Sequence, residues 1–170
     1  MNIRWFGAIL VGLGCTSFGF SLAASYRREA AMLRNLYGVL VHMESELTYR
    51  MTPLPMLFRS VSESCTGILS ELFRQMADEM AAHTAAHASD CVNSVLWRNP
   101  ALPGKLRCIL LELGNTLGTF DLSGQLRGIR LCQEDCSREL DTINRHLREQ
   151  IRSYRLLGCC AGAALAILLL

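Results

Sequence analysis

The sequence predicts an all-α protein: a membrane-anchored helical bundle, with an apolar helix at each end and a helical domain between them. Three observations carry this expectation. Along two long runs, apolar residues recur at alternating steps of three and four, the spacing of one helix face. No stretch alternates apolar and polar residues over a useful strand length. Apolar residues make up 51% of the chain, yet they concentrate at the two termini, which carry almost no charge.

Residues 5–26 would run about 33 Å as a helix, enough to cross a bilayer. Trp5 and Tyr26 suit the two interfaces, and Arg27, Arg28 and Arg34 form a basic flank that favours the cytoplasm. Two other readings stay open. Ser21, Leu22 and Ala23 offer the small residues of a signal-peptide cleavage site, and Leu13-Gly14-Cys15 is a partial lipoprotein box.

No proline falls between Arg4 and Thr52, so the helix continues out of the apolar segment. Leu33, Leu36, Leu40, Met43 and Leu47 form its packing seam, broadened by Val39 and Val41. Glu44 and Glu46 flank the seam. Two residues apart on a helix, they point in different directions, which suits a solvated or partner-facing edge and not a catalytic pair. Thr52-Pro53-Leu54-Pro55 then breaks the helix and starts another, with Thr52 as the cap, Pro53 at the first helical position and Pro55 in the first turn. Short helices are expected over 54–62 and 67–82, the second turning Ile68, Leu69, Leu72, Phe73 and Met76 inward.

His83, His87 and Cys91 would share one face of a continuous helix, and two His and a Cys are acceptable zinc ligands. A metal-dependent membrane enzyme would use these three. Against it, no fourth ligand is evident, and Thr84 suits a helix cap that would displace His83. The plainer expectation is a helix over 85–97 that buries Cys91, Val92, Val95 and Leu96, with Trp97 as a core anchor. The chain has eight cysteines but no C-x-x-C, a pattern that fits reduced thiols used as small apolar residues in a domain facing the cytosol.

Asn99-Pro100-Ala101-Leu102-Pro103-Gly104 reads as a loop, and Lys105 begins the next helix. Residues 110–125 join that helix to the last one. Gly114 admits a close neighbour, Gly118 supplies the left-handed residue that ends a helix, and Asp121 caps its successor. Leu126, Ile129, Gln133, Cys136, Leu140, Ile143 and Leu147 step along the final helix. Residues 156–170 are wholly apolar and would span about 22 Å, completed by Tyr154 and the stems of Arg152 and Arg155. Arg145, Arg148, Arg152 and Arg155 mirror the first basic flank, and Gly158, Gly162 and Ala166 make a small-residue face for helix packing. The expected division is a transmembrane helix over 5–26, a cytoplasmic helical domain over 27–155 and a second transmembrane helix over 156–170.

A net charge of +2 gives no field for nucleic acid. No Gly-rich phosphate loop or Ser-His-Asp set is present. The residues alone point to non-enzymatic binding and assembly at a lipid bilayer, with an exported, membrane-tethered binding protein as the alternative if the N-terminus is cleaved.

Leu117, Gly118, Asp121 and Gln125 spell Leu-Gly-x-x-Asp-x-x-x-Gln, preceded by Leu110, Leu111 and Gly114. A second motif is Thr52-Pro53-Leu54-Pro55, following Glu44, Glu46 and Tyr49. With the two-ended apolar layout, these resemble the stage III sporulation protein AB family over the whole chain. The resemblance implies a component of a secretion-like complex that links mother cell and forespore. It implies a helical domain similar to the inner-membrane platform domains of type II secretion and type IV pilus systems, on the mother-cell side of the membrane. The implied partners are a secretion-type ATPase of the same complex and its other small membrane and ring-forming members. It implies no catalytic residues, metal or cofactor. The positions matching its motifs are Thr52, Pro53, Pro55, Gly114, Leu117, Gly118, Asp121 and Gln125.

Overall fold

The computed structural model describes the backbone of residues 2–82 and 87–169, and the side chains of 24–82 and 87–147. The described residues form six helices and no strand: α1 (Asn2–Arg50), α2 (Leu54–Ser64), α3 (Ile68–Ala81), α4 (Ala88–Arg98), α5 (Gly104–Thr116) and α6 (Leu122–Leu169). Two units divide the chain. One comprises Met1–Ala30 and Asp141–Leu170, and the other comprises Ala31–Leu140.

In the first unit, α1 and α6 supply helix only, and Ala30 and Ile143 are buried. Among the described residues, no helix is long and apolar enough to cross a membrane. The spans expected over 5–26 and 156–170 fall almost wholly on side chains outside those described.

The second unit is a closed circuit of helices, each tied to the next. His42 on α1 meets Ser60 on α2 at 3.1 Å. Phe58 on α2 packs against Phe73 on α3, ring centres 5.9 Å apart. The Cys91 thiol on α4 donates to the Met76 carbonyl on α3 at 3.3 Å. Arg107 on α5 donates to the Leu96 and Asn99 carbonyls at the end of α4, at 3.1 and 3.0 Å. Cys132 on α6 points to the Ile109 carbonyl of α5 at 3.8 Å, and Lys105 pairs with Glu139 at 2.8 Å. Arg130 Nε and Gln133 Nε2 on α6 donate to Glu44 on α1, at 2.7 and 2.9 Å, and close the circuit.

Inside it lies the core. Leu33, Leu36, Leu40, Met43 and Leu47 are all buried, so the three-and-four seam of α1 does face inward. Leu57, Phe58, Val61, Leu69, Leu72, Phe73, Met76, Leu106, Leu110 and Leu113 join them. Burying a leucine- or phenylalanine-sized side chain contributes about 1.5–3 kcal/mol, and this burial is what holds four short helices together.

Several expectations give way here. Trp97 is 76% exposed and anchors no core. The inward stripe of α4 is Ala88, Cys91, Val92, Val95 and Leu96, and a residue directly after Leu96 turns to the other side of so short a helix. Val41 is exposed for the same reason, one position past buried Leu40. Glu44 is not a free edge: it is the acceptor that joins α1 to α6, and its bonds to Arg130 and Gln133 hold its carboxyl below the usual range. Thr52 does not cap α2. Pro53 occupies that position, Pro55 follows in the first turn, and the Thr52 hydroxyl donates to Glu46 at 3.0 Å instead. On α6 the deepest positions include Cys132, where the seam suggested Gln133.

Candidate functional site

The corner over 110–125 is built from backbone requirements. α5 ends at Thr116, whose hydroxyl donates to the Leu113 carbonyl at 3.0 Å. The Leu117 amide also bonds Leu113 at 3.0 Å, and the Leu117 side chain is buried. Gly118 follows with φ +76°, the left-handed conformation that turns the chain out of a helix. Asp121 then caps α6: its Oδ1 accepts the Gly124 amide at 3.1 Å, and its Oδ2 accepts the Ser123 hydroxyl at 2.6 Å. These bonds, Ser123's foremost, hold the Asp121 carboxyl below its ordinary range. Gln125 Nε2 donates back to the Phe120 carbonyl at 2.9 Å and fixes the turn from the α6 side.

Glycines set how closely the helices approach the corner. A Cβ on Gly114 would lie 2.9 Å from Val92 Cβ, so α4 rests directly on the α5 backbone. A Cβ on Gly128 would lie 2.6 Å from Thr116 Cβ, so α6 rests on α5 in the same way. The first approach is legible from Gly114. The second has a sequence signal only in Gly124 and Gly128, four apart on one helix.

The second motif segment reaches the same place. A Cβ on Gly118 would lie 3.0 Å from Leu54 Cδ1, so the two motif segments are in contact. An open groove of about 280 Å³ lies beside them, lined by Leu47, Met51, Thr52, Pro53, Leu54, Leu122 and Gln125. Met51 and Leu122, with Tyr49, Met56 and Phe120 on neighbouring stretches, leave large apolar side chains exposed. Tyr49 is the most exposed, at 84%. Met51 also has φ +49°, and it is the one non-glycine residue with positive φ among those described. The meeting of Met51 with Leu122 at one groove is not visible from spacing, because the two segments are far apart in sequence.

Of the sequence-marked positions, Thr52, Pro53 and Gln125 line the groove. Gly118 touches its Leu54 wall, and Asp121 and Leu117 hold the turn. Pro55 sits in the first turn of α2. Gly114 lies apart, against α4.

The His83, His87 and Cys91 set is not assembled as a helix face. His87 is the extended residue before α4, with φ −131°. The Cys91 thiol is committed to Met76 and is pushed up to about 12 by burial and by nearby Glu79. His83 lies outside the described residues. No group of three or more His, Cys, Asp or Glu side chains able to hold a metal occurs among the described residues.

The family described as stage III sporulation protein AB matches residues 4–170. Stage III sporulation protein AB of Bacillus subtilis (strain 168) is 24% identical over 170 residues, covering 99% of each chain. A solved structure of stage III sporulation protein AB superposes with a TM-score of 0.61 at 20% identity, covering 71% of this chain and 97% of that one, a likeness of fold. The match along nearly the whole chain places this protein in the stage III sporulation protein AB family.

Proposed function

We propose that this chain is a non-enzymatic platform component of a secretion-like sporulation complex. In this reading the segments over 5–26 and 156–170 hold it in the membrane. The domain over 27–155 faces the mother-cell cytoplasm and engages a secretion-type ATPase and the complex's other small membrane and ring-forming members.

One observation supports the reading most. The two motif segments meet at one corner, where Met51 and Leu122 line the groove, and Tyr49, Met56 and Phe120, close to them in sequence, are exposed as well. Apolar side chains grouped at the surface cost solubility and mark a protein contact. Their backbone is meanwhile fixed by a left-handed glycine, a capped helix and two prolines, so a partner meets a preorganised surface. We assign the ATPase to this corner.

The test is binding of the full chain, in detergent and in reconstituted membranes, to the secretion-type ATPase of the same complex. Phe120→Asp and Met51→Asp should each weaken binding about tenfold or more, the effect of losing a central apolar contact. Trp97→Asp, an equally exposed site elsewhere, should leave it unchanged. Equal binding by all variants, or no binding by the parent in either setting, overturns the proposal.

A further inference from the structure

A second cavity, of about 270 Å³, shares no residue with the corner. Arg34, Asn35, Gly38, Val39 and His42 line it from α1, and Ser64, Cys65 and Thr66 line it from the end of α2 and its link to α3. No carboxylate is among its lining residues. Most other cations of this unit are engaged: Arg50, Arg59, Arg74, Arg98, Lys105, Arg130 and Arg138 each pair with an acid, and Arg107 donates to backbone carbonyls. Arg34, like exposed Arg127, has no ion pair among the described residues, but unlike Arg127 it lines a cavity that holds no acid.

We propose that this cavity binds the phosphate group of a small phosphoester, supplied by a lipid headgroup or by a soluble phosphomonoester. Arg34 provides the charge and a forked set of donors suited to phosphate oxygens. The His42 ring is held on the wall by Ser60 at 3.1 Å. The end of α2 would ordinarily offer carbonyl oxygens that repel an anion. Here two of the four are occupied: the Val61 carbonyl accepts the Cys65 amide at 3.1 Å and the Ser64 hydroxyl at 2.9 Å, and the Ser62 carbonyl accepts the Ser70 hydroxyl at 2.7 Å. α3 begins just beyond Thr66, after Gly67, and no side chain caps its first amides. Gly38 keeps the hollow open, since a Cβ there would meet nothing within 4 Å. The volume is near the lower limit of small-molecule pockets, roughly 300 Å³, which suits a headgroup and is tight for a nucleotide.

The experiment titrates the full chain in detergent with glycerol phosphate by calorimetry. It also measures, by native mass spectrometry, the lipid retained from discs of equal phosphatidylglycerol and phosphatidylcholine. Saturable binding of one glycerol phosphate is expected. Arg34→Gln should weaken it about tenfold, the weight of one charge-assisted contact. Gly38→Leu, which fills the hollow at a helical position with open space, should abolish it without lowering the unfolding midpoint. Arg127→Gln, an exposed arginine outside the cavity, should have no effect. Selective retention of one phosphatidylglycerol, lost in Arg34→Gln, identifies a lipid source. Glycerol phosphate binding without lipid selection identifies a soluble one. No saturable binding in either arm, or equal loss in Arg34→Gln and Arg127→Gln, overturns the proposal.

Discussion

Replacing Gly118 tests the turn on which the corner is built. The residue holds φ +76°, where an L side chain costs about 1–2 kcal/mol. A methyl group placed there meets Leu54 Cδ1 at 3.0 Å and Ala88 Cβ at 4.0 Å. The nearer contact is the end of a flexible side chain, which can give way by a few tenths of an ångström and adds little. Gly118→Ala should therefore destabilise by about 1–2 kcal/mol, nearly all from the backbone. Gly118→Val should cost more, because a β-branched residue is a worse fit to this conformation. For a cooperative unit of this size, each kcal/mol lowers the midpoint by about 4 °C or somewhat more. Gly38 provides the opposite case. It lies inside α1 with open space around its missing Cβ, so Gly38→Ala should stabilise by about 0.5–1 kcal/mol. Thermal unfolding of the full chain in mild detergent, followed by far-UV circular dichroism, measures both. If Gly118→Ala is as stable as the parent while Gly38→Ala rises as expected, the left-handed residue is not what forms the turn.

Other outcomes are expected from the same structure. Gly114→Ala should destabilise by about 1–3 kcal/mol by forcing α4 off α5, and Val92→Ala in the same chain should recover part of the loss, read as non-additivity in a double-mutant cycle. Leu96→Ala should cost about 2–5 kcal/mol, whereas Trp97→Ala next to it should stay within about 0.5 kcal/mol in the same unfolding assay. Glu44 has a folded-state pKa below its ordinary 4.5. Its contribution is therefore fully present above 4.5 and is lost as pH falls through the folded value. Glu44→Gln should remove that acid dependence at a cost of about 0.5 kcal/mol at neutral pH, because the Arg130 partner is largely solvated. Under native conditions an alkylating reagent should label exposed Cys108 first, and Cys91, Cys132 and Cys136 only on unfolding. Burial pushes those three thiols up to about 12. Early labelling of Cys132 would contradict the packing of α6 on α5.

The sequence by itself determined the all-α class, the inward seam of α1, the break at Thr52-Pro53, and the turn chemistry of Gly118 and Asp121. Each of these is a local property. Helical periodicity, the missing N–H of proline and the allowed φ of glycine act within a few residues, so spacing reveals them. Trp97, Val41, Thr52 and Glu44 depart from the expectation because periodicity gives the angle of a stripe but not its width or what lies opposite. Trp97 directly follows a buried residue on a short helix, and only the packing of α4 between α3 and α5 decides that its side is open. Thr52 had an acceptor within reach in Glu46 that competed with the helix amides. Glu44 found Arg130 and Gln133, more than eighty positions away in sequence. The meeting of the Thr52-Pro53-Leu54-Pro55 segment with the Gly118 turn belongs to the same class. Their contact requires the whole circuit of helices to close, and a long-range pairing of that kind exists only in the tertiary structure. The corner was thus legible as two well-formed turns, and the fold alone made them one surface.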